Sequence, residues 1–162
     1  MPAEDAGKTI ALLAEENAIG QANPFGFKLR TGGVTAEAFP NSAQIARALV
    51  AAAEYKVPIK FTAGLHHPVR MFRDEVKTKM HGFLNVLGAG VLAIEHDWNE
   101  QQTTELLDEE DGTAFKFKNE SFAWRDWRIS VGAIEKNREI ITSFGSCSFD
   151  EPCEDLRGLK LL

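Results

Sequence analysis

An α/β fold built on a parallel sheet is what this chain predicts, and three observations carry the prediction. Phe27-Lys28-Leu29-Arg30-Thr31-Gly32-Gly33 and Ile59-Lys60-Phe61-Thr62-Ala63-Gly64-Leu65 are two versions of one pattern, with Lys28 over Lys60, Arg30 over Thr62 and Gly32 over Gly64 at an offset of 32 residues. That offset is about one strand, one helix and two loops, the length of a βα unit. Between the copies, Ile45, Ala48, Leu49 and Ala52 make a helical stripe at i, i+3, i+4 and i+7. Further along, strand-like and helix-like stretches go on alternating, the pattern of a parallel sheet with helices on its faces. Only three or four strands of this kind can be counted, too few to close an eight-stranded barrel. The sheet is therefore either open or a partial (half) barrel completed by another copy or by further sequence.

With 162 residues the chain is read as a single α/β domain, 1–162, long enough to bury a core without disulfides. A net charge of −6 and a pI near 5.3 speak against non-specific nucleic-acid binding, which needs a basic surface. No apolar run has the length of a membrane span, and Glu4 and Asp5 stand where a targeting leader would carry basic residues. Two cysteines, Cys147 and Cys153, are too few for a disulfide framework. A cytoplasmic location is the expectation.

Taken in order, Ala6 to Ile19 reads as an amphipathic helix closed by Gly20, and Asn23-Pro24 as a turn into a first strand from Phe25 to Thr31. Gly32-Gly33 ends that strand, and Asn41 or Ser42 caps the helix that carries Ile45. Val57-Pro58 opens the second strand, which runs to Gly64, since proline is accepted at a strand's first residue. His66 to Met80 has no clean period and many charges, which predicts a long mobile binding loop. His81 to Trp98 predicts a helix apolar on nearly all sides, hence buried or set against a second subunit; a homo-oligomer is expected on that ground. Thr103 to Asp111 predicts a short acidic helix with a solvated run at Asp108 to Asp111. Ala114 to Lys118 alternates as a strand, with a partner at Phe122 to Arg125. Ser130 caps a helix to Thr142, Ser143 to Phe149 follows as a strand or strand end, and Pro152 fits the first turn of a last helix. Phe122, Trp124 and Trp127 are read as core or interface.

Candidate functional residues gather at the ends of the predicted strands, where open α/β sheets and barrels bind ligands. Lys28 and Arg30 are two apart and share a face, as do Lys60 and Thr62. Such a cluster binds phosphate or carboxylate, or it discharges one lysine, making Lys60 a carbonyl nucleophile. The structural alternative is that both lysines pair with carboxylates or lie on a solvent-facing edge. Gly32 and Gly33 offer backbone N–H groups to an anion. His66, which keeps the parity of Lys60 and Thr62, is the candidate proton-transfer residue, with His67 as a ligand contact. His66 and His67 with His81 or Cys147 match no established zinc spacing, so no metal and no cofactor are assigned. Ser146 and Cys147 are candidate ligand contacts in a stretch that serves equally for close packing.

The segments FKLRTGGVTAEAFP, IKFTAGLHHPVR, HGFLN and SFGSCSFDEP resemble the C-terminal part of a bacterial family of uncharacterised proteins with a TIM-barrel-like pattern, over Phe25 to Leu156. That family brings no assigned activity with it. Locally, Lys28 to Gly33 is similar to the Lys-x-x-x-Gly-Gly strand ends of phosphate-binding barrels such as quinolinate phosphoribosyltransferase. Ile59 to Gly64 is similar to the Schiff-base lysine strand of class I aldolases of the deoxyribose-phosphate type. Phe61 and Ala63 depart from that family's Lys-Thr-Ser-Thr-Gly, and the order of the two lysine strands is reversed. These resemblances imply a lyase/aldolase-like or transferase-like enzyme acting on a small anionic metabolite, with neither nucleic acid nor membrane as partner. The competing expectation is a non-catalytic binding or assembly module, or a fragment of a larger barrel enzyme.

Overall fold

The computed structural model describes residues 5–20 and 22–162; residues 1–4, with the Glu4 of the leader reading, and residue 21 lie outside them. The elements in chain order are α1 (Ala6–Ala18), β1 (Phe27–Arg30), α2 (Ser42–Tyr55), β2 (Ile59–Thr62), β3 (Met71–Arg73), β4 (Thr78–Met80) and α3 (Phe83–His96). Then come α4 (Glu100–Leu107), β5 (Phe115–Lys118), β6 (Ser121–Trp124), β7 (Trp127–Ser130), α5 (Val131–Asn137), β8 (Ile141–Gly145) and α6 (Asp150–Gly158).

The repeat forms two neighbouring parallel strands. β1 lies beside β2 and β2 beside β8, with Lys28 level with Lys60 and Arg30 level with Thr62. Apolar residues alternate with polar ones along β1 and β2, so Phe27, Leu29, Ile59 and Phe61 are buried while Lys28, Arg30 and Lys60 are exposed. Parallel sheets usually have both faces covered; this one buries one face and leaves the other open. Among the described residues no barrel forms, and the other two sheets are antiparallel. The partial-barrel expectation is corrected accordingly: the three parallel strands make an open sheet.

The buried face packs against α2 and α3 in one hydrophobic cluster. α2 starts with a reciprocal capping box, Asn41 and Gln44 each bonding the other's backbone N–H. α3 comes close to β8 because Gly90 carries no side chain: a Cβ there would lie 2.8 Å from Ile141. Phe83 stacks on Phe144 with ring centroids 5.0 Å apart, fixing the helix start to the same strand. The helix predicted to be apolar on nearly all sides is in fact mostly buried, with Leu84, Leu87 and Ile94 only partly so.

Three local expectations change. The long mobile loop at His66 to Met80 contains the β3–β4 hairpin, Met71 opposite Met80 and Arg73 opposite Thr78. These strands are three residues each and mix apolar with charged side chains, too short for a period to be read. The antiparallel sheet has a third strand, β7, turned tightly back from β6 through Arg125 at φ 50°. The helix capped by Ser130 ends at Asn137, whose side chain donates to the Val91 carbonyl, and β8 begins at Ile141. Phe122 and Trp124 are buried, as the core reading anticipated, whereas Trp127 is partly exposed and meets Trp98 edge to face. Among the described residues no helix is long and apolar enough to cross a membrane.

Candidate functional site

At the carboxyl ends of the parallel sheet the open face shows two rows of side chains. Lys28, Lys60 and Ser143 form one, and Arg30, Thr62 and Gly145 the other. Neighbouring strands lie about 4.8 Å apart, so the two lysine side chains leave the sheet side by side, and like charges directly opposite each other are unfavourable. Among the described residues none of Lys28, Arg30 and Lys60 has a carboxylate partner. Arg30 turns its Nε to the Gly32 carbonyl at 2.8 Å. All three cations are exposed. Burial therefore does not activate Lys60, one of the two roles read from the sequence, and both lysines lie on a solvent-facing side of the sheet, the structural alternative.

The repeated glycines serve the backbone first. A Cβ on Gly32 would lie 2.8 Å from the Gly64 Cα and 2.6 Å from the Phe39 ring, so the two strand ends cross in contact only because neither residue has a side chain. Gly33 is similarly tight, its Cβ position 2.6 Å from that of Ala38. Thr31, buried and passed over by the sequence reading, closes the crossing: its N–H donates to the Thr62 carbonyl at 2.9 Å and its hydroxyl to the Ala63 carbonyl. Ala63 (φ 64°) and Gly64 (φ 76°) are both left-handed. For alanine that conformation is strained, and such strain concentrates at functional sites.

The two adjacent histidines part, as alternating side chains must. Nδ1 of His66 lies 3.2 Å from the Ser146 hydroxyl and 3.9 Å from the Glu151 carboxylate, and the ring is largely covered. A serine–histidine–acid relay places serine and acid on opposite ring nitrogens. Here both face Nδ1, so Ser146 orients the imidazole rather than being activated by it. His67 is buried and its Nδ1 lies 2.6 Å from the Asp155 carboxylate, tying α6 to the loop after β2. That contact makes His67 an anchor for α6. Cys147 is exposed and Cys153 half-buried, both free thiols. Among the described residues no three His, Cys, Asp or Glu side chains are grouped to hold a metal ion.

The acidic run Asp108 to Asp111 is largely exposed, as expected, and its side chains also form a polar cluster with partners from distant segments. Asp108 accepts from the Ser42 hydroxyl and pairs with Arg70 at 3.5 Å. Glu110 takes both Arg70 and Lys79, and the Lys79 hydrogen bond chiefly holds its carboxyl below the usual range. Burial opposes ionisation of Glu109, but the Asp111 N–H, Arg125 and the Trp124 indole outweigh it and lower its pKa. His81, 1% exposed, donates through Nε2 to the Pro40 carbonyl at 2.7 Å, while its Nδ1 is buried without a partner. Burial is the main reason its pKa is lowered, with the nearby Arg70 adding to it and the Pro40 carbonyl and Asp108 opposing. No protein-family model, no curated protein and no solved structure matches this chain, so the arrangement of these residues is what speaks for its function.

Proposed function

We propose that the chain binds a small phosphate- or carboxylate-bearing metabolite on the open face of its parallel sheet, at the carboxyl ends of β1 and β2. The observation that carries this reading is the register, which sets Lys28 beside Lys60 and Arg30 beside Thr62 on an exposed face without carboxylate partners among the described residues. An anion there relieves the lysine–lysine repulsion and takes a guanidinium and a hydroxyl from the next row. The resemblance of Lys28 to Gly33 to phosphate-binding strand ends agrees. His66, held by Ser146 beside the same strand end, is the group we assign to proton transfer if the bound metabolite reacts.

Isothermal titration with inorganic phosphate, a phosphorylated three-carbon acid and pyruvate tests the binding. We expect Lys28→Ala and Lys60→Ala each to weaken the best of these about tenfold, the worth of one charge-assisted hydrogen bond. Unchanged affinity in both variants sinks the site. Borohydride trapping with a panel of aldehydes and ketones separates catalysis from binding: adduct at Lys60 that is lost in Lys60→Ala supports a Schiff-base enzyme, and no adduct leaves a binding module.

A further inference from the structure

A cavity of about 250 Å³ opens away from the parallel sheet's bare face, between α3, the β5–β6 hairpin and α5. Leu87 and Val91 of α3, Phe117 and Phe122 of the hairpin, and Ile134 of α5 supply its apolar walls. Gly88 on α3 leaves the space, since any side chain there would be directed at Phe122. The only charged groups in the lining are two cations, Lys118 and Arg138, with no carboxylate among them. Arg138 is held at the site by donating through Nη2 to the Thr142 carbonyl at 2.9 Å. Neither cation forms an ion pair among the described residues.

We propose that this cavity binds a small monocarboxylate with an apolar body, its aliphatic or aromatic part between α3 and the hairpin and its carboxylate on Lys118 and Arg138. Apolar walls with a few placed polar groups are the general make-up of small-molecule sites, and the volume, below that of drug-sized pockets, limits the ligand to a short chain or a single ring. A second copy of the chain, docked here about a two-fold axis, brings the cations of one mouth towards those of the other, which charge opposes. A carboxylate satisfies them. Half-exposed Phe117 and Val131 beside the opening are apolar surface that such a ligand covers.

Titration calorimetry with octanoate, octanol and acetate tests this, since the three separate the apolar and the charged contributions. We expect octanoate to bind, with octanol about tenfold weaker for lack of a charge-assisted contact and acetate without measurable affinity. Lys118→Ala combined with Arg138→Gln should erase the preference for octanoate over octanol. Leu87→Trp, at a half-buried position on the wall, should abolish both, with circular dichroism confirming that it folds. Absent octanoate binding to the folded wild type, equal affinity for octanol, or octanoate binding unaffected by Leu87→Trp overturns the proposal. So does an octanoate affinity that falls with rising protein concentration in step with dimer formation by sedimentation, because the cavity is then a subunit contact.

Discussion

Thr31, Gly32, Ala63 and Gly64 knot two strand ends together within a few ångströms, and each does so for its own reason. Gly32 and Gly64 are needed because their backbones touch, Thr31 because its hydroxyl and N–H satisfy two carbonyls of the other strand. Ala63 is the exception, a side chain in left-handed backbone at φ 64° where glycine costs nothing. We expect Ala63→Gly to raise the unfolding free energy by up to about 1 kcal/mol, the relieved strain being partly offset by the greater freedom of the unfolded chain. Urea denaturation checks it; a clear loss of stability means that the alanine methyl packs more than it strains. The repeat was visible in the sequence and pointed correctly to two parallel strand ends. Gly32, one of the two glycines read as anion-binding N–H donors, also makes a close backbone contact with Gly64, which only the approach of two segments 32 residues apart reveals.

Elements here are held to one another by single buried side chains. Asn85 on α3, fully buried, donates to the Leu106 and Glu109 carbonyls at 2.9 and 2.8 Å and accepts the Arg70 N–H at 2.9 Å. One residue thus joins α3, the end of α4 and the approach to β3. Asn85→Ala leaves the Glu109 carbonyl and the Arg70 N–H without partners, while the Leu106 carbonyl keeps the Glu109 N–H, and we expect a loss of about 2–3 kcal/mol. Hydrogen exchange should rise first at the C-terminal end of α4; protection unchanged there argues that Asn85 is not the tie. Amphipathic period predicted α1 and α2 because their packing faces are continuous stripes, and the all-round apolar run predicted α3 because it is mostly buried. It did not predict β3, β4 and β7, whose short, exposed strands exist through pairing with a neighbour rather than through any pattern of their own.

For the whole molecule the buried imidazole of His81 sets a pH dependence. Burial holds its pKa below the usual value of about 6.5, so the folded protein keeps it neutral while the unfolded chain takes up a proton. Stability is then complete above that value and falls as pH drops from it towards the lowered folded value, because protonation favours the unfolded state. Arg70 and Asp108 are the charged groups facing the ring, and Arg70 disfavours the imidazolium further. His81→Gln, which can still donate to the Pro40 carbonyl, should unfold with a flatter pH profile between pH 7 and 5. Parallel profiles for the two proteins would assign the acid sensitivity to other groups.

By itself the sequence determined the α/β class, the pairing of the two repeat strands on one side of the fold, and which side chains share a face, because residue periodicity and a repeated motif are local properties. Tertiary structure decided that the lysine face is open rather than inside a barrel, that His66 and His67 turn to different partners, and that a largely exposed acidic run pairs with Ser42, Arg70, Lys79 and Arg125 from distant segments. It also placed Lys118 and Arg138 beside one apolar cavity. Each of these rests on residues brought together from distant parts of the chain, and burial and partnership are not encoded in spacing.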